Sequence, residues 1–139
     1  MEIAQAFQFV DSTMRADSAL MSAATGGVWQ GKADIGVIAP FASFAHQAGS
    51  EVLTFNAVRL WSSLLMQVVA IGPTNSYAAL VTIANRIDAL FGRAGPVALS
   101  QGGVLSCYRE QTLAIDEPLV NGQAWSRLGG LYRIALQGS

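Results

Sequence analysis

Cysteine and histidine each occur once in the 139-residue chain, as Cys107 and His46. One cysteine cannot form an internal disulfide, so the fold must be held by its core alone. One histidine leaves little material for metal centres or acid–base dyads, which draw on several His, Cys and carboxylate side chains. Charge is also scarce. Charged residues make up 12% of the chain, against roughly 25% in an average domain. Lys32 is the only lysine, and Arg15, Arg59, Arg86, Arg93, Arg109, Arg127 and Arg133 are scattered along the sequence. With a net charge of −1, no basic stripe marks a nucleic-acid footprint. Long apolar runs are missing too. The longest, residues 64–72, is interrupted by Gln67 and falls far short of a membrane span. No basic segment precedes an apolar one at the N-terminus, so no signal peptide is expected. These features favour a soluble protein made in a cytoplasm.

Reactive constellations are equally thin. Asp116-Glu117 is the only adjacent carboxylate pair. Neighbouring side chains on an extended chain point apart, so the pair reads as a solvated loop. The glycine pairs 102–103 and 129–130 lack the spacing of a phosphate cradle. Ser62-Ser63 falls inside a strand pattern with no nucleophile elbow. Trp29, Trp61 and Trp125 are distant in sequence and read as core or interface anchors. Cys107 falls in a strand pattern, as a small core residue. The expectation is therefore no enzyme, no cofactor and no metal.

What the chain does have is apolar content, at 52%, enough for one domain with a proper core. Low charge combined with high apolar content suggests that much of the surface is buried against other subunits, because interface cores are depleted in charge. Ile3, Phe7, Val10 and Met14 mark one helical face over residues 3–14. Asp17 is placed to cap a second short turn, which Thr25-Gly26-Gly27 ends. Val28-Trp29-Gln30 fits a short strand. Strands are expected over 41–47 and 58–71, joined by a connection over 48–56 that carries Val52 and Phe55. Apolar residues lie on both sides of the 58–71 strand, as in a central strand covered on both faces.

Gly72-Pro73 stops that strand, and an amphipathic helix follows over 75–91. Its stripe is Tyr77, Leu80, Val81, Ala84, Ile87, Leu90 and Phe91. A strand over 104–113, a turn signal at Asn121-Gly122 and a strand over 125–136 complete the chain. In that last strand, Gly129-Gly130 reads as a bulge. The expected fold is α+β. It is a mostly antiparallel sheet of about four strands, with one long helix on a face and an N-terminal helical segment, all in a single domain over residues 1–139.

The order of these pieces carries a resemblance. A helical segment ending in Gly-Gly is followed by PFASFAHQ, VRLWSSLLMQVVAIG, YAALVTIANRIDALF, VLSCYREQTLAIDE and NGQAWSRLGGLYRIAL. From about Ala16 to the end this resembles the tail-completion, or tail-terminator, family of tailed bacteriophages. The resemblance implies a ring-forming virion subunit, commonly hexameric, assembled in the host cytoplasm. Such a ring caps the tail tube and joins it to the head connector. Its partners would be copies of itself, the tail tube protein and the head-completion protein, with DNA only as passing cargo and no membrane. Val52, Phe55 and Trp125 are the candidate subunit contacts, from the 48–58 connection and the 113–124 loop. Alternatives are another head–tail neck or tail-tube component or, in a different class, a small-ligand-binding α+β domain with Trp61 and Tyr108 lining an apolar pocket.

Overall fold

The N-terminal helical spacing folds as α1, Glu2–Ala16, in a computed structural model that describes residues 2–31, 39–53, 59–99, 102–120 and 123–137. Its buried face is Ala6, Phe9, Val10 and Met14. Asp17 then breaks the helix and caps α2, Ser18–Ala23, by accepting from the amides of Ala19 and Leu20. Gly27 adopts φ +87° and turns the chain into β1, Val28–Gln30. β2 is Phe41–Leu53 and β3 is Arg59–Pro73. A 3₁₀ turn over Thr74–Ser76 leads into α3, Tyr77–Phe91. β4 (Arg93–Ala94) and β5 (Val97–Ala98) are two residues each. β6, Gly103–Val120, and β7, Gln123–Gln137, form a long hairpin.

Among the described residues, seven strands join one sheet in the order β1-β2-β3-β7-β6-β4, with β5 also on β6. This corrects the expected sheet of about four strands. The four long strands are antiparallel to their neighbours, and β1 pairs with β2 in parallel. Of the additional strands, β1 falls on the short strand expected at Val28-Trp29-Gln30, whereas β4 and β5 are two residues each, too short for a period of two to show in sequence. The single long helix also gives way to two 15-residue helices and a six-residue one.

The helices share one face of the sheet. Phe9, Val10 and Met14 of α1, Leu20 of α2, and Leu80, Ile83, Ile87 and Phe91 of α3 join Phe44, Met66, Val68, Tyr132, Ile134 and Leu136 in the main core. On α3 the inward row is Leu80, Ile83, Ile87 and Phe91, the i, i+3, i+7, i+11 spacing of a helix face. Ile83 belongs to it, whereas Tyr77, at the first turn, is 46% exposed. Phe91 stacks edge-on against Phe9 and Tyr132, with ring centroids 5.6 and 5.9 Å apart. The Tyr132 hydroxyl donates to Asp88 Oδ1 at 3.3 Å, and Arg109 pairs with the same carboxylate oxygen at 3.2 Å. Asp88 thus ties α3 to β6 and β7. Burial first, and Asp88 second, push the phenol ionisation of Tyr132 upward.

Three bulges explain where strict alternation fails. β2 slips against β3 between His46 and Ala48, so the segment expected as a loop over 48–56 continues as strand to Leu53. β6 slips against β7 between Val104 and Ser106 and again between Arg109 and Gln111. Val104 and Cys107 are therefore both buried, although a period of two puts them on opposite faces. Gly129-Gly130 is not itself the bulge. β3 pairs with β7 in unbroken register there, and the extra residue is Glu110 of β6, across from Leu131 and Tyr132. A Cβ at Gly129 would overlap the Val68 carbonyl and stand 2.7 Å from Val69 Cα, so glycine is required by the close approach of two backbones.

Candidate functional site

The second face of the sheet carries its own apolar patch. Phe41, Val69 and Ile71 are buried there, with Trp29, Ala39, Leu113 and Trp125 packed around them, and no helical residue belongs to the group. The patch arises from alternation. Val69 and Ile71 are the odd positions of β3, opposite in register to Ser43 and Phe41 of β2, whereas the even positions Val68 and Ala70 serve the helical core. Alongside the patch, Arg133 of β7 donates from Nε to Glu110 Oε1 at 3.2 Å and from Nη2 to Oε2 at 2.9 Å, a forked contact to β6, and reaches Ser63 Oγ at 3.4 Å. Arginine suits this role because its planar fork meets both carboxylate oxygens.

β6 is the most exposed of the four long strands described. Leu105, Tyr108 and Ile115 of β6 are 38, 46 and 41% exposed. A polar chain fixes the hairpin near its far end. Thr74 Oγ1 and Ser126 Oγ are 2.8 Å apart, and Ser126, which is buried, donates to Asp116 Oδ1 at 2.8 Å. The chain links the 3₁₀ turn to β7 and β6. Pro118 lies within β6, on a strand with one long partner, where a missing amide hydrogen is tolerated.

The candidate contact residues do not come together. Val52 lies on β2, paired with Trp61 at the start of β3, and its side chain is outside the described set. Trp125 lies on β7, paired with Pro73 at the end of β3. Twelve residues of β3 separate the two levels, roughly 40 Å of strand. Phe55 and the Asn121-Gly122 turn lie outside the described residues. Trp125 is half-buried in the second-face patch, and the 113–124 segment expected as a loop is strand as far as Val120. Trp61 and Tyr108 do not line a common pocket. Tyr108 is level with Arg133 of β7 and so with Leu65 of β3, two strands away from Trp61 and four residues along. Sequence reasoning missed the Arg133–Glu110 fork and the exposed Ile115. The partners of the fork are far apart in sequence, and bulges hide the face on which each side chain falls.

Other groups offer little chemistry. Cys107 is buried and donates to the Phe91 carbonyl at 3.3 Å; burial pushes its thiol up to about 12, far from a nucleophile's range. His46 Nε2 is buried without a hydrogen-bond partner. Among the described residues no three of His, Cys, Asp and Glu converge as a metal-ligand set. No described helix is long and apolar enough to cross a membrane. An open cleft at the end of α3 is lined by Asp88, Ala89, Gly92, Arg93 and Arg109.

No family model matches this chain, and neither does any curated protein. Solved structures do match. A chain of the structure titled "Virion of native gene transfer agent (GTA) particle" superposes with a TM-score of 0.69 at 14% identity, over 93% of this chain and 92% of that one. At that identity the likeness is one of fold, and it extends over nearly the whole of both chains.

Proposed function

We propose that this protein is a structural component of a virion, and more specifically a ring-forming tail terminator that caps a tail tube and joins it to the head connector. The observation that carries the reading is the fold shared, nearly end to end, with a chain of a gene transfer agent virion. The motif order in the sequence points the same way by an independent route. A charged fraction of 12% and an apolar patch on the sheet face away from the helices both suit a subunit that hides surface against neighbours. A ring would use both ends of the strands. One end meets the tube below and the other meets the connector above, while lateral contacts close the ring. In this reading the protein is not an enzyme, its partners are copies of itself, the tube protein and the head-completion protein, and DNA passes through without being bound.

Electron microscopy of the purified protein, alone and mixed with tail tubes, tests the proposal. Annular particles, six-fold in projection, that sit at tube ends and stop their elongation are the expected result. A protein that stays monomeric and leaves tube growth unchanged would overturn it. Annuli that instead stack into continuous tubes would identify a tube subunit.

A further inference from the structure

We propose that copies of this chain join edge to edge. The outer edge of β6 over residues 110–115 of one copy adds as an antiparallel strand to the outer edge of β2 over residues 48–53 of the next. The partner is thus a second copy, and the joint is a shared sheet. The inference deepens the ring reading, resting on self-assembly but not on a position in the virion.

Three observations carry it. First, both segments lie on outer edges of the sheet. β1 covers β2 only at Ala42–Phe44, and β4 and β5 cover β6 only at Cys107–Tyr108 and Gly103–Val104. Among the described residues, no strand covers β2 beyond Phe44 or β6 beyond Tyr108 on the outer side. Unpaired amides and carbonyls on a strand edge are a template for another strand.

Second, the directions match. Successive long strands β2, β3, β7 and β6 alternate in direction, so β6 runs opposite to β2. Placing the next copy in the same orientation continues the alternation without a break. Each copy offers one edge of each kind, which makes the contact heterologous; it closes into a ring if the rotation divides a full turn.

Third, beyond the charged, bulged Glu110 the β6 edge lacks the usual protection. Residues 111–115 read Gln-Thr-Leu-Ala-Ile, without charge or proline, and Ile115 is 41% exposed. On β2 the bulge at Gln47 precedes the free run and leaves residues 48–52 in regular register with β3.

The geometry fixes a consequence. Ala48 is level with Leu65 of β3, and Ile115, through Arg127 of β7, is level with Ile71. A register that sets Ala48 opposite Ile115 pairs residues 48–53 with 115–110. It offsets neighbouring copies by six residues of strand, roughly 20 Å. In a closed ring such an offset appears as tilt of the strands against the ring axis.

Cysteine cross-linking of the full chain tests this. Ala48→Cys and Ile115→Cys lie on the same sheet face, and the buried Cys107 stays out of the reaction. Mixing the two variants under mild oxidation should give a linked pair that neither forms alone, and the double variant should give a ladder of linked oligomers. Ile115→Lys should keep the circular dichroism spectrum and raise the concentration for half-assembly about tenfold or more by light scattering. Linked dimers of Ile115→Cys alone would show a two-fold β6–β6 contact and overturn the proposal. Annular particles that persist in Ile115→Lys, without any Ala48–Ile115 link, would overturn this joint while leaving the ring reading intact. A wild-type chain that stays monomeric and unlinked, even on tube ends, would overturn both.

Discussion

Replacing Asp17 with alanine should cost about 2 kcal/mol, and the structure separates that cost into two parts. One carboxylate oxygen accepts from the amides of Ala19 and Leu20 at 3.0 and 3.4 Å, the N-cap of α2. Losing such a cap costs about 1 kcal/mol. The other oxygen accepts from Arg86 Nε at 2.7 Å and pairs with its Nη2 at 2.6 Å, which fastens α2 to α3. Asp17 is 8% exposed but Arg86 is 41% exposed, so water screens the pair and can rehydrate the freed guanidinium. That places it nearer the roughly 1 kcal/mol of a surface ion pair than the 3–5 kcal/mol of a broken buried one. At about 3–5 °C per kcal/mol for a chain of this length, the midpoint should fall by about 6–10 °C.

Thermal unfolding followed by circular dichroism reads the total, and two further variants read its parts. Asp17→Ser keeps a capping oxygen and should recover about half the loss. Arg86→Ala should lose about the other half, and a double-mutant cycle should assign the coupling to the pair. Equal melting of Asp17→Ala and Asp17→Ser would refute the capping argument. A loss below about 0.5 kcal/mol, the range of an indifferent surface change, would refute the whole assignment.

The same group sets a pH dependence. Burial alone would raise the carboxyl of Asp17, but the Arg86 hydrogen bond and charge and the two cap amides outweigh it and hold it below 3.8. A depressed folded-state value adds stability that is complete above the unfolded value and is lost as pH falls through the folded one. The gap between wild type and Asp17→Asn should therefore be flat from neutral pH to above 3.8 and close in more acid solution. Urea titrations at several pH values measure this, and a gap that widens on acidification would contradict it. Gly129→Ala should cost about 3 kcal/mol or more, because the clash is with backbone that cannot rotate away; an unchanged urea midpoint would contradict the close approach of β3 and β7. Leu80→Asp should abolish folding, since it places a carboxylate in a fully buried site on α3, and a soluble variant with unchanged melting would refute the helix's orientation. Cys107 should resist alkylation in the folded protein at pH 8 and react fully in denaturant, as thiol counting with a maleimide would show.

The amino-acid order by itself determined the elements whose periodicity survives over many residues. The i, i+3, i+7 apolar spacing sets α3, and the spacing of Phe7, Val10 and Met14 sets most of α1. Asp17 announces the cap of α2, because a short carboxylate before an apolar turn satisfies amides that nothing else can reach. The lack of disulfides is also fixed by composition. Tertiary structure alone decided the sheet. Strands of two residues have no readable period, and each bulge in β2 and β6 flips the faces of the side chains that follow it until the next bulge. The Arg133–Glu110 fork, the Asp88 hub and the patch around Val69 and Ile71 all depend on register between strands distant in sequence. The distance between Val52 and Trp125 does too. Register is a property of pairs of strands, and a single strand's sequence records only its own alternation.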